Sequence, residues 1–118
     1  MKYRFEERKI YGGYTLDIHL EDVPTLKGSV TALELAISDL ISDDDSIKEI
    51  DKVLEGKRDR IESGSNMFWY TITPTESSFE YSLENKCWNF TISTKVLREL
   101  TMIWNKRAKE FCKKYKIH

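Results

Sequence analysis

Asp43-Asp44-Asp45 is the densest run of chemistry-capable side chains in this sequence. Consecutive carboxylates can hold a hard divalent cation, but an EF-hand loop combines a central glycine with a distal glutamate, and this stretch does not supply that combination. Two readings stay open. The run is a solvated loop, or it is a contact for a basic partner, because neighbouring carboxylates repel one another until a cation relieves them. His19 and the terminal His118 are the two histidines. His19 is expected mid-strand opposite Glu6, a pair that could serve as a general base, yet no nucleophile accompanies it. Cys87 and Cys112 fit no disulfide framework or metal spacing, and Lys86 or Lys113 beside them is weak ground for an activated thiol. They read as buried thiols in a reducing compartment. Gly12-Gly13 could cradle a phosphate, but no phosphate-loop or dinucleotide pattern follows. No catalytic residue, metal ligand or cofactor is therefore assigned.

The wider charge pattern points elsewhere. Asp17 to Glu55 carries 11 acidic and 3 basic residues, a net of −8, whereas the other 79 residues carry 16 basic and 9 acidic, a net of +7. The chain total of −1 hides this asymmetry. A block of one sign can dock a partner of the other. The residues proposed for such a contact are Asp39, Asp43, Asp44, Asp45, Glu49 and Asp51, with Glu21 and Asp22 near the same edge and Trp69 as an aromatic anchor.

The positioning elements follow from periodicity. Tyr11-Gly12-Gly13-Tyr14 predicts a tight hairpin with Arg8 facing Asp17 and Phe5 facing Leu20. Leu16, Ile18 and Leu20 alternate with polar residues as a half-buried strand does, while Glu7 and Lys9 fall on the apolar side of the first strand and suggest a bulge or an edge. Thr31 with Glu34, and Ser46 with Glu49, read as capping boxes for two helices, with Val30 and Leu35 as a hydrophobic staple. Gly56 closes the second helix. Lys57 to Asn66 reads as a loop with a short strand near Ile61. A meander from Phe68 to Ile92 turns at Pro74 and at Asn85-Lys86. A helix from about Thr94 buries Leu97, Leu100, Trp104, Phe111 and Tyr115. The order is ββααβββα: one α+β domain over residues 1–118, a largely antiparallel sheet with helices packed on it.

At 118 residues the chain is long enough for one core, burying roughly 65% of its unfolded surface. No apolar stretch of ~20 residues predicts a membrane span, and the expected setting is the cytoplasm. The basic terminal helix, with Tyr115 and Trp104, supports a second reading as a nucleic-acid-binding accessory protein, although the acidic block would repel the same polymer.

In the opening hairpin, the acidic helix pair through Asp43-Asp44-Asp45, and the aromatic meander from Phe79 to Ile92 leading into the terminal helix, the organisation resembles immunity proteins of bacterial contact-dependent growth inhibition, a polymorphic toxin system. The resemblance implies a partner, the C-terminal toxin domain of a cognate delivered protein. It also implies a mechanism, in which an acidic face covers the basic cleft of a nuclease. No enzyme activity, cofactor, small molecule or membrane enters that reading.

Overall fold

The computed structural model describes residues 1–116, so His118 lies outside the described residues. Strands β1 (Lys2–Ile10) and β2 (Gly13–Asp22) form a two-stranded antiparallel ribbon. Its turn sits one residue earlier than expected. Ile10 pairs with Gly13, and of the two glycines only Gly12 takes a positive φ, +85°. Arg8 consequently faces Thr15, and Phe5 faces Ile18. The displacement is two residues, so every side chain keeps its expected face. Leu16, Ile18 and Leu20 are buried. Arg8 still reaches Asp17 diagonally, at 2.5 Å.

Glu7 does lie on the core side of β1, and a bulge is not what accommodates it. The one register irregularity falls between Lys2 and Tyr3. Glu7 instead accepts hydrogen bonds from Tyr115 Oη (2.7 Å), Lys114 Nζ (3.0 Å) and Arg107. These donors, the tyrosine foremost, lower its pKa to about 2. The end of the terminal helix is thereby tied to the ribbon.

A second sheet of five strands has the order β3-β7-β6-β5-β4, from β3 (Lys27–Gly28), β4 (Ile61–Gly64), β5 (Phe68–Ile72), β6 (Glu76–Leu83) and β7 (Lys86–Ser93). All its pairings are antiparallel. The β6–β7 turn is Glu84-Asn85, one residue before the expected place, with Glu84 at φ +56°. Gly28, at φ +105°, lets β3 approach β7, because a Cβ there would stand 2.4 Å from the Asn89 carbonyl oxygen.

Helices α1 (Val30–Leu35) and α2 (Asp44–Leu54) are joined by a π-helical turn, Ala36–Leu40, closed by Ile41 N–H donating to the Ala36 carbonyl at 3.0 Å. Neither helix uses the expected capping box. Ser29 caps α1 by accepting from Ala32 N–H (3.1 Å), which makes Val30 the first helical residue and dissolves the staple. Glu34 is drawn to the Leu20 N–H of β2, at 2.8 Å. Asp43 caps α2, accepting from Ser46 N–H at 2.7 Å. In both places an earlier Ser or Asp wins the cap, as the preference for short polar side chains permits. Gly56, at φ +77°, ends α2 as expected. Helix α3 (Thr94–Lys114) buries Leu97, Leu100, Trp104 and Phe111, and with α1 and α2 it covers the sheet face that carries Tyr70, Ile72, Phe79, Phe90 and Ile92. Rings of Tyr70, Phe79 and Phe90 stack across three strands at centroid spacings of 4.8 Å. Among the described residues no helix is long and apolar enough to cross a membrane.

Candidate functional site

The acidic segment and the basic terminal helix, far apart in sequence, meet in space. Helix α2 packs along α3, and two of its four carboxylates, Asp44 and Asp51, are paired there. Asp51 is bonded by Arg98, through a short Nε contact and an Nη2 contact at 3.4 Å. Asp44 accepts from Lys109 Nζ at 3.0 Å, which lowers the aspartate pKa. The Asn105 amide reaches the Ser42 carbonyl at 2.9 Å. Glu49 is bonded by Lys52 (2.9 Å) and Arg58 (2.5 Å), and both depress its pKa. Glu21 lies 3.9 Å from Arg4 on the ribbon.

Of the carboxylates proposed for a contact, Asp39, Asp45 and Asp22 have no cationic partner within ion-pair distance among the described residues, and Asp43 serves as a cap. Asp22 ends β2 and belongs to neither α2 nor the turn before it. What remains together is a short stretch from the π-turn to the first turn of α2, carrying Asp39, Asp43 and Asp45. The helix N-terminus favours the charges of Asp44 and Asp45.

This stretch runs between two hollows over one sheet face. The first, about 200 Å³, has the buried Ile41, Ile50 and Ile72 for a floor and Asp43, Asp45 and Glu49 at its edge. The second, about 470 Å³, lies between α1 with its π-turn and strands β5 to β7, with Leu35, Leu40, Phe68, Tyr81 and Trp88 as walls and Asp39 at its margin. Phe68 and Tyr70, neighbours on the same face of β5, connect them, their rings stacked at 6.0 Å. The π-turn sets this division, since Leu40 enters one hollow and Ile41 the other.

Trp69 is not part of this arrangement. Strand alternation puts it on the sheet face away from the helices, half exposed and paired with Gly64 on β4. Its indole lies over that glycine, where a Cβ would meet the ring at 2.0 Å. Trp69 thus covers a bare strand position and leaves half of its surface exposed.

The other chemical candidates resolve locally. His19 Nε2 stands 3.4 Å from Glu6 Oε1 on the outer face of the ribbon, although its backbone pairing partner is Arg4. His19 and Ser38 both line a further hollow between the ribbon and α1, but the Ser38 hydroxyl donates to the Glu34 carbonyl at 2.9 Å. Cys87 is exposed, not buried as expected, and Cys112 is partly buried. Among the described residues no three His, Cys, Asp or Glu side chains group to hold a metal. For nucleic acid, Trp104 is buried, and Tyr115 stacks on Tyr14 with centroids 4.0 Å apart.

Sequence reasoning missed the two hollows and Tyr81. One trace of them was present: Met67 and Leu83, large apolar residues beside turns where polar ones are usual, stay 56% and 51% exposed. Comparison with protein-family models, curated proteins and solved structures finds no match to the chain.

Proposed function

We propose that this chain is a binding domain that neutralises a basic protein partner by occupancy, doing no chemistry itself. The observation that carries this is the hollow beside α2. An apolar floor edged by exposed carboxylates matches a Lys or Arg side chain, whose aliphatic stem favours the isoleucines and whose charged head favours Asp43 and Asp45. The partner's class comes from the resemblance in organisation to immunity proteins: the toxin domain of a contact-dependent growth inhibition system, with a nuclease cleft as the covered surface, in the cytoplasm. The reading is narrower than the charge pattern alone suggested. Asp44, Glu49, Asp51 and Glu21 are engaged by the chain's own cations, and Asp39, Asp43 and Asp45 face the partner.

The nucleic-acid alternative is less well supported. Of the cations crowding the end of α3, Arg107, Lys109 and Lys114 are bonded to Glu7 and Asp44, while Lys106, Lys113 and Lys116 are exposed without a carboxylate in ion-pair distance among the described residues, and the aromatics Trp104 and Tyr115 are engaged within the chain.

The test is functional. A basic protein captured from the source cell by the immobilised chain, expressed alone, should arrest growth. Co-expression of this chain should restore growth, and co-expression of the Asp39→Lys/Asp45→Lys variant should not. Continued arrest with the wild-type chain at equal expression, or equal rescue by the variant, overturns the proposal.

A further inference from the structure

We propose that the larger groove, between α1 with its π-turn and the β5–β7 face, seats a second anchor from the same protein partner: an aromatic side chain carried next to a Lys or Arg. This rests on the protein-binding reading above and adds what the partner must present.

Size and composition come first. The groove holds about 470 Å³, within the range that accommodates a bulky group, and its walls are mainly apolar. Leu35, Met67 and Leu83 stand 42%, 56% and 51% exposed around it, a cluster of large apolar side chains that docking would remove from water. Charge complementarity selects the cation. Asp39 is the one ionisable carboxylate lining the groove, no Lys, Arg or His lines it, and Asp39 has no cationic partner among the described residues.

Tyr81 supplies the third element. Its hydroxyl is buried and has no hydrogen-bond partner among the described residues. A buried hydroxyl without a partner is uncommon in a folded chain, and once the side chains that seal it from water shift, a docked backbone carbonyl would accept from it. Burial, and then the nearby Asp39 charge, push its pKa above the ordinary tyrosine value, so it stays protonated and able to donate. Finally, the Phe68–Tyr70 stack stands between the two hollows, with Phe68 lining the larger and Tyr70 the smaller, so an extended segment crossing it would reach both.

The probe is the blocked tripeptide acetyl-Leu-Phe-Arg-amide, titrated into the full chain and followed by NMR. Saturating shifts of the Trp88 indole and of the Leu35 and Met67 methyl signals are expected. The same peptide ending in Glu should bind at least about fivefold more weakly, because Asp39 repels it. Acetyl-Gly-Gly-Arg-amide should give no saturating shift. Asp39→Asn should bring the Arg and Glu peptides to similar affinities, and Thr31→Trp, at an exposed position on the groove wall, should abolish binding. Equal affinity of the Arg and Glu peptides for the wild type overturns the proposal, as does undiminished binding to Thr31→Trp. Concentration-dependent shifts of the same signals without peptide would identify a second copy as the occupant and also overturn it. Asp45→Lys separates the two readings, since it should leave peptide binding in the groove intact while weakening the captured partner. Peptide shifts that map only to the smaller hollow sink the groove and spare the wider function.

Discussion

The two sides of α2 carry similar charges and put them to different uses. Toward α3, Asp44 and Asp51 meet Lys109 and Arg98, and the acidic helix is held by the basic one. Toward the sheet, Asp43 and Asp45 edge a hollow whose floor is isoleucine, and the adjoining π-turn leaves Asp39 without a cationic partner among the described residues. The segregation of −8 and +7 in sequence is therefore in large part internal complementarity. Only carboxylates that the fold leaves unpaired retain a field for a partner to feel. A count of charges along a chain overstates its docking surface by whatever number the tertiary structure neutralises.

Breaking both sides at once gives the largest effect. Ile50, on the buried face of α2, is 1% exposed. Ile50→Ala should cost about 3 kcal/mol of stability by removing buried contacts and leaving a cavity. Urea unfolding would measure it, and a loss under about 1 kcal/mol would mean that α2 is not anchored there. Next is the cap. Asp43→Ala should cost about 1 kcal/mol, because the Ser46 N–H loses its acceptor, while Asp43→Ser should recover most of it.

Glu7 extends the comparison to acid. Its folded pKa is lowered to about 2 from an unfolded value near 4.5. The depressed value means that the unfolded chain takes up the proton first, so the contribution is complete above about pH 4.5 and lost as pH falls toward about 2. Denaturant midpoints measured between pH 6 and 2.5 should decline less steeply in Glu7→Gln than in the wild type. Parallel declines would show that the Tyr115, Lys114 and Arg107 contacts do not act in solution.

The smallest effects sharpen the contrast most. Asp51→Ala should lose about 0.5 kcal/mol, a loss that shrinks in high salt, because the Arg98 pair is partly exposed. Asp45→Ala should change stability by no more than about 0.5 kcal/mol in either direction. If thermal unfolding shows Asp45→Ala to be the more damaging of the two, the assignment of paired and free carboxylates is wrong.

Much of the architecture was legible because alternation and helical spacing are insensitive to small errors of position. The hairpin turn was misplaced by one residue and the pairing by two, yet Leu16, Ile18 and Leu20 stayed inward, since an even displacement preserves faces. Capping was legible in kind but not in place. Ser29 and Asp43 lie just before the boxes read from Thr31 and Ser46, and a box pattern cannot say which of several short polar residues the backbone will use. Glu7 was noticed as a charge on an apolar side, but its partners lie about a hundred positions away, a separation no local pattern encodes. The same limit governs the site. Asp39, Asp43 and Asp45 were named together with Asp44, Glu49 and Asp51, and only the tertiary pairing separates the two groups. Trp69 could be read from alternation either as cover or as an anchor; the cover is over Gly64 across the ladder, a partner that alternation does not name, and half of the side chain stays exposed.

The most direct test holds net charge constant and changes only which carboxylates are reversed. Asp39→Lys/Asp45→Lys and Asp44→Lys/Asp51→Lys alter the charge equally, and circular dichroism would confirm that both remain folded. Association rates with the captured basic partner are then measured at low and high salt. The Asp39/Asp45 variant should associate about tenfold or more slowly at low salt and lose most of its salt dependence, while the Asp44/Asp51 variant stays near the wild type. Equal slowing in both variants would show that overall charge, and not this pair of unpaired carboxylates, recruits the partner.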